Sequence, residues 1–128
     1  MILMRILIYG AGVIGSLYAA LFAEAGYDTS IYARGKRFEA LRNNGLLYKK
    51  NQEVIKAEIR ILGELPNDDI YDFVLLTVRE NQLDEALTEL KNNKSNTIVT
   101  MINSLDSYNK WENIVGKGRI LPAFPGAG

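Results

Sequence analysis

The chain has 128 residues, 48% hydrophobic and 23% charged, which suits one globular domain with a buried core and argues against a disordered chain. Its 15 basic and 15 acidic side chains cancel, so no overall field draws it to nucleic acid or to an anionic membrane. It has no cysteine and no histidine, which excludes disulfides, thiol nucleophiles, Cys/His zinc sites and histidine acid–base chemistry within these residues, and no metal site is expected.

In chain order, Met1 to Tyr9 opens with an apolar run that Arg5 interrupts and no basic segment precedes. It reads as a buried strand over 3–9 and not as a secretion signal. No stretch reaches the roughly 18 apolar residues that a membrane span requires, and a cytoplasmic protein is expected. Glycines follow at 10, 12 and 15, and then Ile14, Leu17, Tyr18, Leu21, Phe22 and Ala25 recur at helical spacing before Gly26 supplies a stop. Asp28 to Ala33 is a second strand, and 35–44 a short helix ending at Gly45. Two β-rich stretches, 46–50 and 53–62, flank the polar pair Asn51-Gln52 and predict an antiparallel hairpin inserted in the sheet.

Residues 63–69, with Pro66 and Asn67, form a loop, and Asp72 to Val78 another buried strand. Asn81 is placed to cap a helix, with Asp84 three residues on and Leu83, Leu87 and Leu90 along one face. The polar stretch 92–96 breaks that helix. A strand over 97–102, a weaker helix containing Trp111 and a last strand from Arg119 to Phe124 complete the pattern. The alternation predicts an α/β fold, a Rossmann-type doubly wound and mostly parallel sheet with an inserted β-hairpin, forming one dinucleotide-binding domain over 1–128. Because the sequence stops on Phe124-Pro-Gly-Ala-Gly128, a glycine-rich turn after a strand, these residues are expected to be the N-terminal part of a longer protein.

Gly10-Ala11-Gly12-Val13-Ile14-Gly15 matches G-x-G-x-x-G. Its spacing has a mechanical basis: the first glycine turns the chain out of the strand, the second admits a pyrophosphate close to the backbone, and the third lets the helix pack on the sheet. The helix start then presents free N–H groups and a positive dipole end to the phosphates. Six residues with three glycines are a weak signal alone. Here they follow a buried strand and open an amphipathic helix, which is the context the motif requires.

A site preferring NAD places an acid at the end of the second strand, where it holds the ribose 2′-hydroxyl. This chain has Tyr32-Ala33-Arg34-Gly35-Lys36-Arg37 there, three cations and no carboxylate. Arg34, at the strand end, suits the 2′-phosphate of NADPH, which a guanidinium binds through two parallel hydrogen bonds. Lys36 and Arg37 serve equally well as a solvated helix start.

Residues 4–16, Tyr-Ala-Arg-Gly (32–35), Leu-Thr-Val-Arg-Glu-Asn-Gln (76–82) and Phe-Pro-Gly-Ala-Gly (124–128) together resemble the ketopantoate reductase (2-dehydropantoate 2-reductase) family. The likeness covers nearly the whole chain but only that family's N-terminal domain. It implies NADP(H) as cofactor, with the pyrophosphate on Gly10–Gly15 and the 2′-phosphate on Arg34. Arg79 stands where the family has a lysine facing the nucleotide; otherwise it is a surface arginine opening a loop. Asn103 matches an asparagine that orients nicotinamide and substrate, although Ser104 replaces the glycine that usually follows. Ala127 matches a backbone contact near the cofactor.

The resemblance also implies a helical C-terminal domain carrying a catalytic lysine and a substrate-binding glutamate, neither assignable here, so these residues alone are expected to be inactive. The expected activity is reduction of a 2-oxoacid such as 2-dehydropantoate to the 2-hydroxyacid, as in pantothenate biosynthesis. The other function considered is a dinucleotide-sensing regulatory domain without turnover, although such domains generally keep the acid that this chain lacks. An exposed sheet edge or an uncovered face would favour a homo-oligomer.

Overall fold

The computed structural model describes residues 4–101 and 108–123. Six strands form one sheet: β1 (Arg5–Tyr9), β2 (Asp28–Tyr32), β5 (Arg60–Leu62), β6 (Phe73–Leu76), β7 (Ile98–Met101) and β8 (Ile120–Ala123). Their order is β5-β2-β1-β6-β7-β8, and every pairing in it is parallel. Renumbered along the sheet this is 3-2-1-4-5-6, the order of two mononucleotide-binding halves joined at the first strand.

Alternation along the central strand divides the core in two. Ile6 and Ile8 of β1 pack with Ala19 and Ala20 of α1 (Val13–Glu24) and with Leu41 of α2 (Gly35–Asn44). Leu7 and Tyr9 pack with Leu83, Ala86, Leu87 and Leu90 of α3 (Leu83–Asn92) and with Trp111 and Val115 of α4 (Tyr108–Val115). A strand buried on both faces is a continuous apolar run, which is why β1 and β6 stand out in the sequence. The residues that α1 buries are Gly15, Ala19 and Ala20, so this helix lies close against the sheet. Pro122 falls in β8, an edge strand, where its missing N–H leaves no ladder bond unmade.

Two local expectations are corrected. The stretch 53–62 is not one hairpin strand: β4 (Glu53–Lys56) pairs with β3 (Leu47–Lys50) as a separate two-stranded sheet, and Arg60–Leu62 joins the main sheet beside β2. The break falls where Ala57 is buried and its N–H donates to the Leu46 carbonyl at 2.8 Å, so the chain turns away from the hairpin. The hairpin turn is at Asn51-Gln52 as expected, with φ of 52° and 68°, the left-handed pair of a two-residue turn.

Nor does Asn81 cap α3. Glu80–Gln82 form a 3-10 turn, and Gln82 stands at the N-cap with no side-chain cap bond. The apolar face of Leu83, Leu87 and Leu90 sets the helix start instead. Two residues of the polar break after α3, Asn93 and Ser95, are buried: Asn93 donates to the carbonyls of Pro66 and Asp69 at 2.9 and 3.0 Å and accepts from the Ser95 N–H at 3.0 Å. No helix among the described residues is long and apolar enough to cross a membrane.

Candidate functional site

The chain reverses its direction of winding between β1 and β6, and an open cleft of about 370 Å³ lies at the carboxyl ends of these strands. It is lined by Tyr9 to Gly12, by Tyr32 to Arg34 with Arg37, and by Val78 and Gln82. Gly10 has φ of +112°, and a Cβ there would come within 3.0 Å of Thr77 Oγ1. A Cβ on Gly15 would lie 2.0 Å from the Gly10 carbonyl oxygen and 2.6 Å from Thr77 Oγ1. These two glycines are required by the protein's own packing.

Gly12 differs: its φ is −76° and a Cβ there would meet nothing within 4 Å. Nothing inside the described fold demands a glycine at this position, and the space beside it is what close approach by a ligand would use. Gly12 is also the N-cap of α1, with no side-chain cap bond and no acid in the first turn, so the helix start is left to face an anion. Ala11 and Ile14 are half-buried, while Val13 is 86% exposed.

Arg34 caps α2 in extended conformation and reaches across the cleft mouth, where Nη1 donates to Glu85 Oε1 of α3 at 2.8 Å. Arg37, one turn along α2, donates from Nε to the Ala11 carbonyl at 2.8 Å and from Nη2 to Ser16 Oγ at 3.0 Å. It therefore ties α2 to the glycine turn, a role beyond that of a solvated helix start. Lys36 is exposed. The side chain of Arg79 is also exposed and does not line the cleft; its carbonyl accepts from the Gln82 N–H at 2.9 Å. Asn103 and Ala127 lie outside the described residues.

The back of the cleft holds a group that sequence reasoning missed. The rings of Tyr9 and Tyr32 stack with centroids 4.7 Å apart and 13° between planes. The Tyr32 hydroxyl donates to Glu89 Oε2 at 2.9 Å, and the Tyr9 hydroxyl donates to Glu89 Oε1. Burial, reinforced by the Glu89 carboxylate, pushes the Tyr32 phenol up to about 12 and the Tyr9 phenol higher still. The available signal was a tyrosine ending each of the first two strands, which parallel pairing brings side by side. A second groove of about 340 Å³ runs between α1 and the hairpin, with Val13, Leu17, Leu21 and Leu47 on its walls. Its Glu24 and Lys50 are already paired with each other.

Residues 6–125 match the family model described as ketopantoate reductase PanE/ApbA. The chain belongs to that family. It is 31% identical over 118 residues to a 2-dehydropantoate 2-reductase of Pyrococcus horikoshii, covering 89% of this chain and 38% of the relative. It is 38% identical over 88 residues to one of Mesorhizobium japonicum, covering 68% of this chain and 27% of the relative. The chain thus spans well under half the length of these curated ketopantoate reductases. Its fold matches that of a D-mandelate dehydrogenase solved with NADH and anilino(oxo)acetate, with a TM-score of 0.83 at 21% identity over 94% of this chain and 40% of the other. The chain is thus one domain of the ketopantoate reductase family, with a Rossmann-type fold.

Proposed function

We propose that this chain is the NADPH-binding domain of a cytoplasmic reductase that converts a 2-oxoacid such as 2-dehydropantoate to the 2-hydroxyacid. The observation that carries the reading is the pairing of Gly12, with open space where a Cβ would stand, and Arg34 at the end of the neighbouring strand. Gly10 to Gly15 and the start of α1 would hold the pyrophosphate, and Arg34 the 2′-phosphate. The same proposal gives Arg79, Asn103 and Ala127 to the cofactor, with Asn103 at the nicotinamide and at the substrate as well.

When bound, NADPH supplies the hydride that reduces the ketone carbonyl. The residues described here bind and orient; the proton donor is assigned to the lysine of the helical C-terminal domain that the family resemblance implies. Curated relatives named 2-dehydropantoate 2-reductase support the substrate class, as does the oxoacetate held by the D-mandelate dehydrogenase.

Titration of the chain with NADPH and with NADH tests the cofactor assignment. A hydrogen bond to a charged group is worth about 1.5–3 kcal/mol, so Arg34→Ala should weaken NADPH by about tenfold to a hundredfold and change NADH little. Equal loss for both dinucleotides, or no binding of either by the unaltered chain, would overturn the assignment.

A further inference from the structure

The acid that the sequence lacks at the end of β2 is supplied by the fold from another element. Glu85 belongs to the first turn of α3, 51 residues beyond Arg34, yet its Oε1 accepts from Arg34 Nη1 at 2.8 Å. Glu89 lies one helical turn further on, and its two oxygens are taken by the hydroxyls of Tyr9 and Tyr32. Of these two carboxylates, Glu89 is bound inside the fold, whereas the Glu85 side chain is 70% exposed and can change partner.

We infer that Glu85 is a cofactor-specificity residue: its carboxylate competes with a 2′-phosphate for Arg34 and offers an acceptor to a ribose 2′-hydroxyl. The inference rests on the dinucleotide reading above. A phosphate dianion that approaches Arg34 must share or displace the Glu85 carboxylate, and the two anions repel each other at that distance. A ribose hydroxyl meets no such opposition, because it donates a hydrogen bond to the carboxylate while the ion pair with Arg34 persists. Glu85 therefore narrows the preference for NADPH that Arg34 creates. Exposed ion pairs of this kind are worth up to about fivefold in an equilibrium constant, and repulsion between nearby like charges adds a factor of similar size at low salt.

The test compares dissociation constants of NADPH and NADH for the unaltered chain, Glu85→Gln, Arg34→Ala and Asp84→Asn. Asp84 is a neighbour of the same charge that pairs with Lys110 at 3.7 Å, so its variant controls for net charge. Glu85→Gln should tighten NADPH about fivefold to twentyfold at low salt, leave NADH unchanged or weaker, and lose most of its effect at high salt. Asp84→Asn should shift both dinucleotides by less than twofold. If Glu85→Gln leaves the NADPH-to-NADH ratio within twofold while Arg34→Ala still lowers it, the role of Glu85 is overturned and the NADPH assignment stands. An Asp84→Asn chain that reproduces the Glu85→Gln effect would overturn that role equally. If the unaltered chain binds neither dinucleotide, the cofactor reading falls and takes this inference with it.

Discussion

Substituting the second and the third glycine of the turn separately divides what the fold needs from what a ligand needs. In Gly15→Ala the new Cβ lies 2.0 Å from the Gly10 carbonyl oxygen and 2.6 Å from Thr77 Oγ1. The nearest atom is backbone, at the end of the central strand, and cannot swing aside; α1 must lift from the sheet instead. Replacing a helical glycine by alanine gains about 1 kcal/mol of helix propensity, and overpacking costs about 1–3 kcal/mol or more. The very short contact places the cost at the upper end, for a net loss of about 2 kcal/mol and a fall in Tm of roughly 6–10 °C in a domain of this size.

In Gly12→Ala the Cβ meets no atom within 4 Å and φ is already −76°. Only the N-cap preference is lost, about 0.5–1 kcal/mol, or roughly 2–4 °C. Binding should respond in the opposite order. A Cβ where the turn should meet a pyrophosphate costs about 1–3 kcal/mol, so Gly12→Ala should raise the NADPH dissociation constant by about fivefold to a hundredfold. Thermal unfolding followed by circular dichroism and titration followed by nicotinamide fluorescence read the two effects on one sample. A Gly12→Ala chain that melts as low as Gly15→Ala, or binds NADPH within twofold of the unaltered chain, would refute this division of roles.

Two further perturbations probe the scaffold. The phenols of Tyr9 and Tyr32 are raised above their ordinary value of 10, so the folded chain holds protons that unfolded tyrosines release. Their stabilising contribution is complete below pH 10 and declines above it, as pH rises through about 12 for Tyr32 and higher still for Tyr9. Urea unfolding from pH 8 to 11 should show stability falling above pH 10, and a Tyr9→Phe/Tyr32→Phe chain should show a flatter profile. The Arg119 side chain donates to the carbonyls of Leu90, Asn93, Ser95 and Val115, joining the ends of α3 and α4. Arg119→Ala should cost about 3 kcal/mol in denaturant unfolding, and Arg119→Lys should recover only part of it, since an ammonium lacks the planar fork.

What could be read from the sequence was local in origin. Helix α2 spans Gly35–Asn44 as expected because Gly45, with φ of +76°, ends it where most other residues would be strained. The glycine turn was legible because its context, strand before and helix after, lies within about thirty residues. What failed depended on partners far along the chain. The run 53–62 looks like one strand until Leu46 claims the Ala57 N–H and β2 claims Arg60–Leu62. Asn81 looks like a cap until the burial of Leu83, Leu87 and Leu90 fixes where α3 starts. Arg37 could not be told from a solvated cation without knowing that α2 sets it against the Ala11 carbonyl.

Cofactor preference is subject to the same division between local and distant. An acid or a cation at the end of β2 is a local proxy for the charge that a 2′-substituent meets. Here the local sequence offers only cations, while Glu85 enters from α3 and neutralises the one at the strand end. The same helix sends Glu89, four residues on, to hold the two strand-end tyrosines at the back of the cleft. The helix that fixes the cleft's aromatic wall therefore also sets the charge at its mouth. A change in α3 packing would move both carboxylates together, so if Glu85 tunes Arg34 as inferred, cofactor preference in this chain would be a property of the β2–α3 pair and not of the strand end alone.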